Sequence, residues 1–146
     1  MSELQTITLS LAADFSVLSE LRALVLHLSR TSHLSEIEAT ELALAVDEAA
    51  TNIIEHTPKA NGCDLNCTLT GDAHQKRISI EIQYKATGLF EPRTAPPLAD
   101  IHTRVLSKRR GGLGVYLMHS LVDDISYTHE NGENVIRLVK LHVERV

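Results

Sequence analysis

The segment from Glu41 to His56 places two different stripes of side chains on one predicted helix. Apolar residues recur at the i, i+4, i+7, i+11 spacing that keeps them on one face, which predicts that this face packs against a core. The residues of the apolar stripe are Leu42, Val46, Ala49 and Ile53. The neighbouring stripe is mostly polar and holds Glu48 and Asn52, which project together because they are four residues apart. The chain therefore keeps a carboxylate and an amide beside the buried side of a long helix.

The residues before this segment predict one strand and two helix starts. Residues 4–11 alternate between apolar and polar types, as in a half-buried strand. Asp14 is a suitable N-cap for a helix over 15–31, on which Arg22 is most simply a charge that faces solvent. The helix that carries the two stripes is expected to begin at the capping box Ser35-Glu-Ile-Glu38 and to end near His56.

The second half of the chain predicts two hairpins separated by a long loop. The expected strands are 63–69 and 76–84 around a turn at 71–75, then 122–128 and 134–143 around Asn131-Gly132. A helix over 113–121 precedes the second hairpin. The order of elements predicts a single α+β domain over 1–146, a two-layer sandwich of a mostly antiparallel five-stranded sheet with about three helices on one face.

Composition excludes several classes of function. The chain has 146 residues and a net charge of −5, and it has no basic cluster beyond 104–110, which argues against nucleic-acid binding. No apolar run has the length of a membrane span and no signal-peptide pattern is present, so the expected location is the cytoplasm. Cys63 and Cys67 are expected to be reduced thiols in the core, because four residues of strand hold them too far apart for a disulfide.

A second motif lies far downstream, at Arg109-Arg110-Gly111-Gly112-Leu113-Gly114. Glycines ahead of an apolar helical run predict a flexible loop that leads into a helix N-terminus, where free N–H groups and the helix dipole favour phosphate. The two arginines are suited to pair with phosphate oxygens. A plain helix boundary is the alternative interpretation of such a glycine-rich turn.

In this order, the two motifs resemble the GHKL-type ATPase domain of histidine kinases, gyrase and Hsp90, which has the Bergerat-type ATPase fold. In particular, they look like the short form of this domain, the anti-sigma-factor serine kinases of the RsbW and SpoIIAB type. The segment 46–56 is similar to the N box of that family, and 111–118 is similar to its second glycine box. The resemblance covers nearly the whole chain and implies that 85–111 forms an ATP lid with one short helix around 98–107.

The resemblance also implies roles for individual residues. Asn52 would hold Mg²⁺, and Glu48 would act as general base on a serine hydroxyl of a partner protein. His56 would either orient Asn52 or interact only with the helix dipole. ATP would be bound by further residues of the glycine boxes and their flanks. These are Gly88, Arg109, Arg110, Gly111, Gly112, Leu113 and Gly114.

The family places an aspartate before its first glycine box, where it receives the amino group of adenine. Around Gly88 this chain reads Gln83-Tyr-Lys-Ala-Thr-Gly-Leu-Phe-Glu-Pro92. Alignment on Gly88 puts Tyr84 at the position of the aspartate, and alignment on Phe90 puts Lys85 there. Neither alignment supplies an acid, so the adenine contact is expected to be weakened.

Three functions remain open from the sequence. The first, by resemblance, is a kinase that binds ATP and Mg²⁺, phosphorylates a serine of an anti-sigma-factor antagonist and sequesters a sigma factor or a similar partner. The second is a nucleotide-independent protein-binding module on the same fold, favoured by the missing aspartate. The third is a metal-dependent hydrolase that uses Glu41, Glu48 and His56. A homodimer is also possible, because strand 4–11 offers an edge to pair.

Overall fold

The computed structural model describes residues 4–56, 64–86, 116 and 118–144 of the chain. Its elements are β1 (Leu4–Ala12), a 3₁₀ helix (Phe15–Val17), α1 (Leu18–Thr31), α2 (Glu36–His56), β2 (Asp64–Asp72), β3 (Arg77–Lys85), β4 (Asp124–Glu130) and β5 (Glu133–Leu141). Tyr116 and residues 118–121 are helical as well, at the end of the helix predicted over 113–121. Each predicted element that falls on described residues is therefore found, with ends shifted by a few residues.

The five strands form one antiparallel sheet in the order β1-β2-β3-β5-β4. Alternation along each central strand sends every second side chain into the core, as the sequence predicted. The buried rows of the three central strands are Leu65, Cys67 and Leu69, then Ile78, Ile80, Ile82 and Tyr84, then Asn134, Ile136 and Leu138. The opposite face carries polar residues such as Thr68, Ser79 and Arg137, which are partly exposed.

Helices α1 and α2 supply the second layer of the core. Their buried apolar side chains form one cluster with the inward rows of the sheet. These side chains include Leu21, Val25 and Leu28 of α1 and Leu42, Val46, Ala49 and Ile53 of α2. The predicted apolar stripe of the long helix is thus confirmed, and so is the α+β two-layer sandwich with a five-stranded antiparallel sheet.

Both predicted helix starts are confirmed by their hydrogen bonds. The Asp14 carboxylate accepts from the Ser16 N–H at 3.0 Å, although the turn that it caps is 3₁₀ rather than α. At the start of α2, the Glu38 carboxylate accepts from the Ser35 N–H at 2.8 Å, and the Ser35 hydroxyl accepts from the Glu38 N–H at 3.1 Å. This reciprocal pair is a capping box.

The sequence predicted the position of one hairpin turn correctly and that of the other with a shift. Asn131 and Gly132 have φ of 55° and 75°, as a two-residue turn with positive φ at both positions requires. Gly71 was predicted in a turn, but it lies inside β2, and the turn occupies 73–76. A Cβ on Gly71 would lie 2.1 Å from Ser32 Oγ, so glycine is needed here for close packing rather than for turning.

Several predictions lie outside the described residues. They concern residues 87–111 of the predicted lid, its short helix around 98–107, and Cys63. The lid was predicted to begin at residue 85, but Lys85 is the last residue of β3. Cys67 is a free, buried thiol, as predicted, and burial raises its pKa to about 11. Among the described helices, none is long and apolar enough to cross a membrane.

Candidate functional site

Glu48 and Asn52 lie on the same side of α2, next to the stripe that anchors the helix to the sheet. Asn52 is buried, with 8% of its surface exposed, and Glu48 is half-buried. Their neighbours Ala49 and Ile53 are in the core. The position of the acid and the amide is therefore fixed by the packing of the helix, and the two side chains are presented one turn apart.

The environment of Glu48 favours its protonated form more than water would. Burial raises the pKa of the Glu48 carboxyl group, and the negative charges of Asp47 and Glu55 raise it further. A carboxylate with a raised pKa, closer to neutral pH, is a stronger proton acceptor. This is the property that a general base requires.

Asp47, the residue before Glu48, connects α2 to α1. Its Oδ2 atom accepts from Arg22 Nε at 2.8 Å and lies 2.7 Å from an Arg22 terminal nitrogen. Arg22 was predicted to be a solvent-facing charge; its side chain is 48% exposed, but it is ion-paired. The other oxygen of Asp47, Oδ1, is buried and has no hydrogen-bond partner among the described residues. The pair holds the two helices together beside Glu48.

A narrow pocket opens between α2 and the sheet, and Asn52 lines it. The residues around the pocket are Ala49, Asn52, Ile53, Tyr84, Met118, Tyr127, Thr128, Asn134, Val135 and Ile136. Within the described part of the chain, the Nδ2 atom of Asn52 is buried without a hydrogen-bond partner. A buried amide usually has its donors satisfied, so this atom is a candidate for contact with a ligand or water.

The sheet side of the pocket is built by a chain of polar side chains from three strands. Asn134 Nδ2 on β5 donates to the Tyr84 hydroxyl on β3 at 3.3 Å. His129 Nδ1 on β4 lies 2.6 Å from Asn134 Oδ1, to which it donates. Tyr84 therefore faces the pocket, whereas Lys85, the other residue that the sequence aligned with the aspartate, is exposed.

Sequence reasoning missed Asn134 and His129, although a signal was present. Asn134 occupies an inward position of β5, two residues before Ile136 and four before Leu138, both of which are buried and apolar. A polar residue in such a row needs a partner, and its register partner on β3 is Tyr84. The alternation of β5 together with the pairing of the strands would have linked the two residues.

The glycine-rich part of the predicted site cannot be placed beside this pocket. Gly88 and the segment from Arg109 to Gly114 lie outside the described residues. No group of three or more His, Cys, Asp or Glu side chains that could hold a metal ion occurs within the described ranges. Of the residues in the predicted hydrolase site, Glu41 lies 3.7 Å from Lys140 Nζ, with which it forms an ion pair.

Comparison with known proteins places the chain in a family. Residues 11–140 match the model of the histidine kinase-like ATPase domain. The chain is 32% identical over 123 residues to the serine-protein kinase RsbW of Bacillus pumilus, which covers 81% of this chain and 74% of that protein. It is 26% identical over 110 residues to RsbW of Bacillus mycoides, which covers 73% of this chain and 66% of that protein. The chain thus spans about two thirds of the length of the latter relative.

Two crystal structures share the fold at low sequence identity. The structure of the RsbU and RsbW domains of a Mycobacterium tuberculosis protein matches with a TM-score of 0.64 and 11% identity, over 94% of this chain and 32% of that one. The SiaB–SiaC complex of Pseudomonas aeruginosa matches with a TM-score of 0.60 and 11% identity, over 94% of this chain and 90% of that one. The chain therefore belongs to the histidine kinase-like ATPase family, within the group of RsbW-type serine-protein kinases.

Proposed function

We propose that this protein is an anti-sigma-factor-type serine protein kinase. It binds ATP with Mg²⁺, phosphorylates a serine of an anti-sigma-factor antagonist, and sequesters a sigma factor or an analogous regulator in a partner-switching pathway in the cytoplasm. The observation that carries this proposal is the pair on α2: a half-buried Glu48 with a raised pKa, one turn from a buried Asn52 whose Nδ2 atom has no hydrogen-bond partner in the described structure. The name of the Bacillus relatives, serine-protein kinase RsbW, agrees with it.

The two residues have complementary roles in this proposal. The side-chain oxygen of Asn52 is a hard ligand of the kind that Mg²⁺ prefers. Glu48 accepts the proton of the serine hydroxyl that attacks the phosphate, which typically contributes about 10²- to 10⁴-fold in rate. Phosphoryl transfer depends mostly on positioning and electrostatics, so few protein groups are needed. Gly88, Arg109, Arg110 and the segment 111–114 are proposed to hold the phosphates.

The described residues suit the metal-bound phosphate end of a nucleotide better than they suit its base. Asn52 fits the metal end. At the base end the pocket is lined by Tyr84 and Asn134, and none of the described residues that line it is acidic. Binding is therefore expected to depend on the metal and the phosphates more than on the base.

Calorimetric titration with ATP and ADP, with and without Mg²⁺, tests the proposal. We expect micromolar binding that requires Mg²⁺ and is lost in Asn52→Ala. The matched control is Glu36→Ala, an exposed position in the first turn of the same helix, which should bind as the wild type does. Glu48→Gln should retain ATP binding but reduce transfer of labelled γ-phosphate to serine by about 10²-fold or more. Absence of binding at millimolar nucleotide would refute the kinase proposal.

A second candidate is a partner-binding module that does not use nucleotide. It is favoured by the small volume of the pocket between α2 and the sheet, which Tyr84 and Asn134 line. The same titration separates the two candidates. A module of this kind would bind its regulator with equal affinity in the wild type, in Asn52→Ala and in Glu48→Gln.

A further inference from the structure

Tyr84 is buried and is hydrogen-bonded to the neighbouring strand β5. Its ring has 5% of its surface exposed, and Asn134, which donates to its hydroxyl at 3.3 Å, has 2% exposed. Asn134 is in turn fixed by His129 at 2.6 Å. If the ring left the pocket, the hydrogen bond between the Tyr84 hydroxyl and Asn134 would break, and Asn134 is itself positioned by His129 on β4.

The space that remains beside this ring is small. It amounts to about 10 Å³, which is about the volume that a single water needs. Pockets that bury a drug-sized ligand usually measure about 300–1,000 Å³. Within the described part of the chain, the space between α2 and the sheet beside Tyr84 is too small for a purine ring.

The chemistry of the pocket wall also provides no reason to select adenine. An exocyclic amine is a donor, and it is bound most strongly by a charged acceptor such as a carboxylate. The polar side chains that line the pocket are Asn52, Tyr84, Tyr127, Thr128 and Asn134, all of them neutral. Hydroxyl and amide groups donate as well as accept, so these side chains by their chemistry favour neither a keto oxygen nor an amine at the same position of a purine.

We propose that Tyr84 denies the nucleotide base a place in this pocket, so that the protein does not distinguish MgATP from MgGTP. This inference rests on the proposed nucleotide-binding function and specifies its substrate class: purine nucleoside triphosphates bound through metal and phosphates. The hydroxyl of Tyr84 fixes the ring through Asn134, and the ring itself excludes the base. Removing the hydroxyl alone should therefore matter less than removing the ring.

The test is calorimetric titration of four proteins with MgATP and MgGTP: wild type, Tyr84→Phe, Tyr84→Ala and Tyr84→Asp. We expect the wild type and Tyr84→Phe to bind both nucleotides within about threefold. Tyr84→Ala opens the pocket to an apolar ring and should raise both affinities by about tenfold or more. Tyr84→Asp adds a charged acceptor and should prefer MgATP by about 10- to 150-fold. Circular dichroism and thermal melting establish that each variant is folded.

The outcomes separate this inference from the kinase proposal. A wild type that prefers MgATP by tenfold or more overturns the inference and leaves the kinase standing. A wild type that binds neither nucleotide, with Tyr84→Ala or Tyr84→Asp binding MgATP, refutes the kinase and supports the role of Tyr84. Equal affinities that persist in every folded variant, or no binding by any of them, overturn the inference.

Discussion

Glu38 joins the start of α2 to the end of the chain. Its carboxylate accepts from the Ser35 N–H at 2.8 Å, from His142 Nδ1 at 2.7 Å and from the Val143 N–H at 2.9 Å. The side chain is buried. Burial alone would raise the pKa of this carboxyl group, but the hydrogen bonds from Ser35, His142 and Val143 outweigh it and lower the pKa from 4.5 to about 2.

The lowered pKa converts into a pH-dependent stability. The difference between 4.5 and about 2 corresponds to roughly 3 kcal/mol at about 1.4 kcal/mol per pH unit. Because the folded-state pKa is the lower one, this stabilisation is complete above pH ~4.5 and is lost as the pH falls toward ~2. About 2 kcal/mol of it should already be lost between pH 7 and pH 3.

Glu38→Gln removes the charge and leaves the shape, and urea denaturation at pH 7 and pH 3 measures the effect. We expect the variant to be less stable than the wild type by about 3 kcal/mol at pH 7, with the difference reduced by about 2 kcal/mol at pH 3. Glu36→Gln is the matched control, since Glu36 forms an exposed pair with Arg30 and should change stability by less than about 1 kcal/mol. A difference for Glu38→Gln that stays constant between the two pH values would refute this reasoning.

Two further predictions concern the core. Gly71→Ala should destabilise the protein by about 1–3 kcal/mol, because the new Cβ would lie 2.1 Å from Ser32 Oγ and 3.0 Å from Leu28. In a Ser32→Ala background the cost measured by urea denaturation should be smaller, and an equal cost would show that the contact does not matter. Cys67, whose thiol pKa is raised to about 11 by burial, should resist alkylation at pH 8 in the native protein and react after unfolding. Peptide mapping by mass spectrometry measures this, and rapid labelling of native Cys67 would contradict its buried position.

The sequence predicted those features that depend on local spacing. The stripe of α2 and its capping box are visible because helical periodicity and the Ser35–Glu38 interval are properties of a short segment. The partners of Glu38 near the C-terminal end of the chain, His142 and Val143, were not predictable. His142 lies 104 residues away, and no periodic pattern relates the two positions. The predicted turn position of Gly71 was wrong for the same reason. Its close contact with Ser32 exists only after α1 packs on β2.

In the candidate site, too, the residues that depend on local spacing were predicted and those that depend on distant contacts were not. Glu48 and Asn52 were found from one helix, and their side chains do lie together beside the core. The choice between Tyr84 and Lys85 was open because it depended on aligning a motif. Strand pairing shows which of the two faces inward, since Tyr84 is in register with the inward Asn134 on β5 and Lys85 with Glu133; which of them aligns with the aspartate stays a prediction. The phosphate-binding residues from Arg109 to Gly114 fall outside the described structure and stay predictions.

The two ends of the pocket are built by different parts of the fold, and this has a consequence for function. Glu48 and Asn52 are positioned by α2, whose apolar stripe packs in the same core cluster as Tyr84. Tyr84 is positioned by hydrogen bonds across β3, β5 and β4, which do not involve α2. The hydrogen bonds of Tyr84 and the backbone of α2 are therefore separate supports of one core. Under the proposed function, the two helix residues do not by themselves determine which nucleotide binds, and Tyr84 is the residue on which we expect the choice of base to depend.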